Sequence, residues 1–376
     1  MIPFNKPHLT GKETQYIEEA VKSGKISGNG IFTQKCQSFF EEKYKFKKVL
    51  LTTSCTDALE MAAMLAHIEA GDEVIIPSYT FVSTALAYVR QGAKIIFADS
   101  YKDNPNIDAD TIESLITPKT KAIVVVHYAG IACDMEKIMN IAERHQLIVI
   151  EDAAQAIDSF YTFSDGRKKA LGSIGHFGAF SFHETKNIIS GEGGMLTIND
   201  EQYIDRAEVI WEKGTNRSQF FRGEINKYGW VDTGSSFLPS EIISAFLWAQ
   251  LENLDKIQKR RLQIWNQYFE NLKNISSVSI PQIPDYATNN AHMFYLIFDN
   301  IDDRSHMIKY LKDNGVLSVF HYLSLHKSDY YNDKHDGRNL QNSDNFENTL
   351  LRLPMYYDLS ESEVDRIVSL IKNYFK

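Results

Sequence analysis

The chain has 376 residues, of which 43% are hydrophobic and 24% charged, values ordinary for a globular protein with room for two domains. A net charge of −9 without any basic block disfavours a nucleic-acid surface, and no apolar run approaches the roughly 18 residues that span a membrane. Three widely separated cysteines argue against a disulfide framework and against a structural zinc site. Because the N-terminus also has no signal-peptide pattern, we expect a cytoplasmic protein.

Helices and short apolar strands alternate through the first part of the chain. Residues 13–23 and 32–44 predict an N-terminal helical arm. Strands are then predicted at residues 49–51, 73–77, 94–98, 122–126 and 147–150, with helices at 56–70, 80–90, 109–116 and 135–145. Continuous apolar strands separated by helices are typical of a mostly parallel sheet that is buried on both faces. In this α/β class, ligands bind beyond the carboxyl ends of the strands.

The pattern changes at residue 241, which divides a predicted large domain (1–240) from a predicted smaller C-terminal α+β domain (241–376). Residues 241–272 predict one long amphipathic helix that links the two. In the small domain we predict strands at 293–298 and 316–322, helices at 303–314 and 362–374, and a long polar loop at 327–348. Ser164–Arg167, in the large domain, predicts a hairpin turn.

Polar residues follow the ends of three predicted strands. Ser54 and Thr56 flank Cys55 where a helix begins, and the free backbone N–H groups there favour a bound phosphate; simple helix capping is the alternative. Asp152 ends a buried strand, where a carboxylate is costly unless it meets a cation or hydrogen-bond donors. His127 follows the third strand, and we interpret it as a core histidine because the spacing offers it no proton-transfer partner.

Residues 178–194 are the most informative stretch of the chain. A short alternating strand runs into a turn that carries Lys186, and glycines follow. A lysine that is desolvated in such a place can present a neutral amine, which is a nucleophile toward a carbonyl. The alternative is an exposed turn lysine beside a core strand.

Together these residues fit one cofactor. Pyridoxal phosphate needs a lysine to hold it, an acid against its ring nitrogen, donors for its phosphate and an aromatic side chain against its ring. The chain offers one candidate for each, namely Lys186, Asp152, the turn Ser54–Thr56 with Ser181, and Phe81.

The chain resembles the DegT/StrS group of sugar-nucleotide aminotransferases, fold-type I enzymes that use pyridoxal phosphate, over nearly its whole length. The matching segments are residues 23–30, 77–81, 126–130, 151–155, 180–187, 191–194 and 352–356. The resemblance implies a mostly parallel seven-stranded sheet between helices, a smaller C-terminal domain, and a homodimer with shared active sites.

The resemblance also implies a role for each cofactor-site residue. Lys186 would hold the cofactor covalently and then shuttle the proton, Asp152 would pair with the ring nitrogen, and Gln155 would bond the ring hydroxyl oxygen. The phosphate would be held by Ser54, Cys55 (through its backbone), Thr56 and Ser181, while Phe81 would stack on the ring.

Two positions depart from the pattern of the family. Many relatives have an asparagine that reaches the cofactor phosphate of the neighbouring subunit, whereas this chain has Ser236, whose shorter reach leaves that contact open. The usual His-Pro-x-Lys motif has Glu184 between His183 and Lys186 here. Glu184 is either a substrate-side feature or a solvated turn residue.

Residues 213–223 and 290–295 resemble the subgroup that makes dTDP-4-amino-4,6-dideoxygalactose for enterobacterial common antigen. This implies transfer of the amino group of L-glutamate to the C4 keto group of dTDP-4-keto-6-deoxy-D-glucose. Candidate contacts to the diphosphate, the donor carboxylates or the substrate mouth are His183, Glu184, Lys213, Arg217, Arg222 and His321. His326 could also line the substrate mouth, and a structural role is the alternative for both His321 and His326.

Other functions stay open at this point. The product could instead carry an equatorial 4-amino group or a 3-amino group, because the sequence does not show how the sugar is oriented. A cofactor-dependent sugar dehydratase of the same fold is disfavoured, since those enzymes have a histidine where this chain has Lys186. A binding protein without catalysis is disfavoured by the complete cofactor set.

Overall fold

The computed structural model describes residues 1–376 and confirms the predicted α/β class. The elements up to the fifth strand are α1 (Glu13–Lys22), α2 (Ile31–Tyr44), β1 (Lys48–Thr52), α3 (Cys55–Leu65), β2 (Glu73–Pro77), α4 (Val82–Arg90), β3 (Lys94–Ala98), α5 (Ala109–Ile112), β4 (Thr120–Val126), α6 (Met135–His145) and β5 (Ile148–Asp152). Next come β6 (Phe160–Thr162), β7 (Lys168–Ala170), β8 (Phe177–Ser181), β9 (Gly194–Ile198), α7 (Ile204–Trp211) and α8 (Arg217–Phe221). The C-terminal elements are α9 (Glu241–Leu251), α10 (Leu254–Leu272), β10 (Tyr295–Ile297), α11 (Ile301–Asp313), α12 (Gln341–Thr349), β11 (Leu350–Arg352) and α13 (Glu361–Tyr374).

The central sheet has seven strands in the order β1-β9-β8-β5-β4-β2-β3. Strand β9 pairs antiparallel with both β1 and β8, and the remaining neighbours pair in parallel. Alternate residues of each strand enter different cores, as Val49 and Leu51 do on one face and Leu50 on the other. The sheet is therefore buried on both faces, as the continuous apolar strands predict.

The topology brings three chemically important strand ends to one edge of the sheet. Strands β5 and β8 run in parallel, with Asp152 opposite Ala179. Because β9 is antiparallel to both of its neighbours, β1 runs in the same direction as β8. The segments that follow β1, β5 and β8 consequently leave the sheet on the same side.

A separate core of 22 buried residues lies among α10, β10, α11, β11 and α13. Helix α10 contributes to two cores, because Leu254 and Ile257 pack with the sheet and Ile264 packs with the C-terminal elements. The domain boundary at residue 240 stays a prediction. None of the helices is both long and apolar enough to cross a lipid bilayer.

The predicted linking helix at 241–272 is wrong as a single element, since α9 and α10 are separated at Glu252 and Asn253. The backbone of Asn253 leaves the helical region, with φ −113° and ψ 9°. Glu252 accepts hydrogen bonds from Tyr16 (2.8 Å) and Lys12 (3.1 Å), which ties α1 to this break. Glu252, a polar residue that interrupts the amphipathic pattern, therefore anchors the N-terminal arm.

The predicted loop at 327–348 contains a helix, α12, which begins at Gln341. Its first turn is capped from a distant part of the chain, because Asp99 accepts from the backbone N–H groups of Asn342 (3.0 Å) and Ser343 (2.8 Å). Phe346 of this helix is buried in a small core that also contains Tyr79 and Tyr128. A composition rich in Asp and Asn did not reveal this helix, since its cap lies outside the local sequence.

Two other boundaries differ from the prediction. The helix predicted to reach residue 70 ends at Leu65, where His67 adopts a left-handed conformation (φ 51°) and Ile68 turns back into the core. The strand predicted at 316–322 makes only isolated bridges, from Val316 to Ile2 and from Val319 to Arg352. The hairpin turn is confirmed, with β6 and β7 antiparallel around it.

Candidate active site

A cavity of about 460 Å³ lies at the carboxyl edge of the sheet. The predicted site residues that line it are Ser54, Cys55, Thr56, Phe81, Asp152, Gln155, Ser181, His183, Lys186 and His321. Residues that the sequence analysis did not single out also line it, among them Phe4, Thr80, Ser83, Glu192, His292, Tyr322 and Arg352. The convergence follows from the topology, because the turns after β1, β5 and β8 open on the same side.

Asp152 lies at the floor of the cavity and is only 6% exposed. Its Oδ2 accepts a hydrogen bond from Thr84 Oγ1 (2.7 Å), and its Oδ1 accepts one from the backbone N–H of Ala154 (3.1 Å). Burial raises the pKa of Asp152, and the two donors together with the charge of Lys186 offset part of that rise. The carboxylate therefore lacks a full counter-charge of its own and favours a cationic group in the cavity.

Gln155 is held beside Asp152 by both ends of its amide. Its Oε1 accepts from the backbone N–H of Ala129 (2.6 Å), and its Nε2 donates to Tyr322 Oη (3.1 Å). Because the oxygen is occupied, the second hydrogen on Nε2 is the one available to a ligand oxygen. Tyr322 also approaches Phe81, with ring centroids 5.8 Å apart, so the two rings form an aromatic wall.

The N-terminus of α3 also lines the cavity. Ser54 caps the helix, since its Oγ accepts from the N–H of Asp57 (3.1 Å), so capping and phosphate binding are not exclusive. The N–H groups of Cys55 and Thr56 belong to the first turn, where no intrahelical acceptor exists. Thr56 Oγ1 donates to Ser83 Oγ (2.8 Å), which adds a hydroxyl cluster at the same end. Such a helix end favours an anion.

Lys186 lies in the turn after β8, and its backbone N–H donates to the carbonyl of His183 (2.9 Å). The next residue, Asn187, is buried and donates from Nδ2 to the carbonyl of Asn290 (2.8 Å) and to Gln258 Oε1 (2.9 Å). These bonds fix the backbone on which the lysine stands. The lysine side chain lines the cavity and has no carboxylate partner of its own within salt-bridge distance.

Arg352, from the C-terminal part of the chain, also lines the cavity. It is 7% exposed, its Nη1 donates to His321 Nδ1 (3.1 Å), and its Nε is buried without a hydrogen-bond partner. No carboxylate forms a salt bridge with it. A buried guanidinium without an acidic partner is a receptor for an anion, because its charge and its planar donors are otherwise uncompensated.

Five predicted residues lie outside this cavity within one chain. Ser236 is exposed and bridges to Glu212, and Glu184 is exposed with its backbone carbonyl accepting from Asn5 Nδ2 (3.1 Å). The other three, Lys213, Arg217 and Arg222, belong to the exposed segment around α8. Arg222 is shared between the carboxylates of Glu208 and Glu224, and Arg217 lies 3.6 Å from that of Glu212. Their predicted substrate contacts stay predictions.

Two further histidines have structural partners. His127 is fully buried, with its Nε2 2.9 Å from Glu151, which also accepts from three backbone N–H groups of residues 172–175. His326 is buried outside the cavity and lies 2.7 Å from Ser78 Oγ. The core interpretation of His127 is confirmed, and the partner that sequence spacing did not show is the adjacent strand residue Glu151.

Sequence reasoning missed Thr84, His292 and Arg352. Thr84 was part of a predicted helix and had no local signal for a bond to Asp152, 68 residues away. Arg352 lies in a segment that carries the family resemblance, and an arginine at the end of a short apolar strand is itself an unusual residue that indicates a site.

The donor set of the cavity fits pyridoxal phosphate. The buried, under-compensated carboxylate of Asp152 suits a protonated ring nitrogen, Lys186 suits the covalent link, and the free first turn of α3 suits the phosphate. Gln155 has one amide hydrogen left for the ring hydroxyl oxygen. Phe81, 55% exposed, offers its ring to the cavity.

Comparison with known proteins gives the same result. The model of the DegT/DnrJ/EryC1/StrS aminotransferase family matches residues 7–372. The spore coat polysaccharide biosynthesis protein SpsC of Bacillus subtilis is 33% identical over 100% of this chain and 97% of its own length. Among solved structures, the aminotransferase TlmJ of Streptoalloteichus hindustanus superposes with a TM-score of 0.90 at 27% identity, covering 99% of this chain and 98% of that one. DesV of S. venezuelae, solved with a ketimine intermediate, gives 0.88 at 26% identity, covering 97% and 94%. The chain therefore belongs to the DegT/DnrJ/EryC1/StrS aminotransferase family, whose members transfer amino groups to keto sugars with pyridoxal 5′-phosphate as cofactor.

Proposed function

We propose that this aminotransferase moves the amino group of L-glutamate to C4 of dTDP-4-keto-6-deoxy-D-glucose. The products are 2-oxoglutarate and dTDP-4-amino-4,6-dideoxy-D-galactose, a precursor for surface polysaccharide. The observation that carries the chemistry is the meeting of Lys186, Asp152 and the N-terminus of α3 in one cavity. The choice of sugar is supported by the sequence resemblance of residues 213–223 and 290–295.

The residues of the chain divide the work between holding and proton transfer. When bound, pyridoxal phosphate supplies an electron sink that stabilises the carbanion left after deprotonation. Asp152, whose carboxylate accepts hydrogen bonds from Thr84 and Ala154, holds a proton at the ring nitrogen and so maintains that sink. Lys186 Nζ, once free, removes the proton from the substrate carbon and later returns one, because its backbone is fixed beside the reacting centre.

Arg352 supports an amino acid as the donor. Its guanidinium lines the same cavity as Lys186, and only Nη1 has a side-chain hydrogen-bond partner. An α-carboxylate bound there in a bidentate manner would place the α-carbon of the donor within the reach of a side chain such as Lys186. We therefore assign the donor carboxylate to Arg352 instead of Lys213, Arg217 or Arg222.

The segment around α8 supports a homodimer with shared active sites. Phe221 and Trp230 are 69% and 84% exposed, next to the basic residues Arg217 and Arg222. Large exposed aromatic residues beside paired charges are typical of a protein interface. In such a dimer, Ser236 and this basic segment would face the cavity of the other subunit.

The test is the two half-reactions of the purified enzyme. Glutamate should abolish the visible absorbance of the bound cofactor, and the keto sugar should restore it. In Lys186→Ala, neither glutamate nor the keto sugar should change the absorbance in this way. Proton coupling constants of the product then report the position and the orientation of the new amino group. An equatorial 4-amine or a 3-amine would overturn the sugar assignment, and absence of any amine transfer would overturn the proposed function.

A further inference from the structure

Two cavity histidines, His292 and His321, each have one ring nitrogen whose protonation is dictated by its partner. His292 Nδ1 lies 2.8 Å from Asn187 Oδ1. The Asn187 amide has only one possible orientation, because its Nδ2 donates to the backbone carbonyl of Asn290 (2.8 Å). Its Oδ1 therefore accepts, and His292 carries its proton on Nδ1.

The rest of His292 is also fixed, except for Nε2. Its backbone N–H donates to Asn290 Oδ1 (3.0 Å), and its carbonyl accepts from Arg261 Nη2 (2.7 Å). In a neutral imidazole that is protonated on Nδ1, Nε2 has a free lone pair. His292 lines the cavity and makes no hydrogen bond through Nε2. It thus offers the cavity an uncharged acceptor.

His321 has the opposite tautomer. Its Nδ1 lies 3.1 Å from Arg352 Nη1, and since a guanidinium can only donate, Nδ1 accepts and the proton is on Nε2. Its backbone carbonyl accepts from the hydroxyl groups of Tyr79 and Tyr128, which hold the residue in place. His321 also lines the cavity, and it offers an uncharged donor.

The surrounding charges keep both rings neutral. Burial, followed by the positive charges of Lys186, Arg352 and Arg261, lowers the pKa of His292 well below its usual value. Burial, Arg352 and Lys186 lower the pKa of His321 to about 4. Near neutral pH neither ring is charged, so each keeps the role that its partner dictates.

We propose that His292 and His321 form a fixed acceptor–donor pair that recognises hydroxyl groups of the sugar, with His292 Nε2 accepting and His321 Nε2–H donating. A hydroxyl group is the ligand class that matches, because it can donate to one ring and accept from the other. A carboxylate, by contrast, has no hydrogen for His292. The assignment rests on the proposed function, and it gives the sugar to the two histidines and the donor carboxylate to Arg352, all of which line the cavity.

The first test reads the tautomers directly. In cofactor-loaded protein labelled with ¹⁵N-histidine, the signal lost in His292→Gln should show protonated Nδ1 and bare Nε2. The signal lost in His321→Gln should show the reverse, and both should stay neutral down to about pH 6, where an ordinary histidine is largely charged. The opposite tautomer, or an imidazolium, at either residue would overturn the inference whatever the activity of the enzyme.

The second test separates the two substrates. His292→Leu and His321→Leu should each raise the KM for the keto sugar about tenfold, the size expected for one lost hydrogen bond. His292→Leu should leave the KM for glutamate within about twofold, whereas His321→Leu also removes the partner of Arg352 Nη1 and should weaken glutamate as well. The glutamine variants, which replace the lost polar atom with an amide, should recover part of the loss. A sugar analogue without the recognised hydroxyl should lose the same factor with the wild type and nothing further with the leucine variant.

The outcomes distinguish this inference from the proposed function. If the wild type transfers no amine but the tautomers are as described, the proposed function falls and the hydroxyl recognition falls with it. If the wild type is active and the leucine variants bind the keto sugar normally, or weaken glutamate instead, the inference is overturned while the proposed function stands.

Discussion

Replacing Asp152 with asparagine should stabilise the cofactor-free protein and at the same time inactivate the enzyme. The substitution fits the site without leaving a polar atom unpaired. The new amide oxygen can accept from the backbone N–H of Ala154, as the carboxylate does (3.1 Å), while the new amide nitrogen donates to Thr84 Oγ1. Thr84 can then turn its hydroxyl toward Thr80 Oγ1, 2.9 Å away.

Stability should rise while activity falls, because the buried negative charge is compensated only when the cofactor is bound. Without it, the ionised carboxylate lies in a 6% exposed site, and its removal should raise the free energy of unfolding by about 1 kcal/mol. With the cofactor bound, losing one partner of a buried ion pair costs about 3–5 kcal/mol, so kcat should fall by roughly two to four orders of magnitude.

The pH dependence provides a check on the cause. The pKa of Asp152 in the folded protein is raised above its unfolded value. The stability associated with its protonated form is therefore complete below the unfolded pKa and is lost as the pH rises through the folded pKa. The gap in thermal midpoint between Asp152→Asn and the wild type should be largest at neutral pH, and it should close as the pH falls from the raised folded pKa to the unfolded pKa.

The measurements are thermal unfolding of cofactor-free protein across this pH range and the glutamate half-reaction of the loaded protein. Asp158→Asn is the matched control, since burial also raises the pKa of Asp158 but the residue lies outside the cavity. The control should leave catalysis unchanged. If Asp152→Asn lowers the midpoint at neutral pH, or retains wild-type turnover, the view of Asp152 as an under-compensated partner for the ring nitrogen is refuted.

Three further substitutions test the remaining parts of the cavity. Lys186→Ala should retain weak, dialysable cofactor and transfer no amine, whereas Lys119→Ala, an exposed lysine that lies before β4 and away from the carboxyl edge of the sheet, should behave as the wild type. Turnover in Lys186→Ala would contradict the covalent role. Arg352→Leu should raise the KM for glutamate roughly tenfold to a hundredfold, with partial recovery in Arg352→Lys, and an unchanged KM would remove the donor carboxylate from this residue. Thr84→Val removes a hydrogen-bond donor from Asp152 and should destabilise the cofactor-free protein by about 1–2 kcal/mol at neutral pH. Thr84→Ser keeps the hydroxyl group and should not have this effect. Equal unfolding midpoints for the two variants would argue against the hydrogen bond.

Most elements of the large sheet could be predicted because their signals are local. Continuous apolar runs such as Ile123–Val126 show a strand that is buried on both faces without any knowledge of its neighbours. The chemistry at the strand ends is local too, since Asp152 and Lys186 stand out against apolar sequence. The predictions that were wrong concern features with non-local causes. The break between α9 and α10, and the start of α12, depend on contacts with Tyr16 and Asp99 from distant parts of the chain.

Local patterns in the sequence predict the fold class and the candidate cofactor residues, because periodicity, strand-end polarity and the rule for parallel sheets operate over short stretches. The surroundings of these residues depend on contacts between distant parts of the chain. Asn187 and His292 are 105 residues apart, and the proton position on that histidine follows from an amide orientation set by Asn290. Likewise, the free charge of Arg352 is a property of a cavity in which no carboxylate approaches it. The protonation state and the charge balance of a side chain depend on the groups that lie next to it in space, and folding brings those groups together.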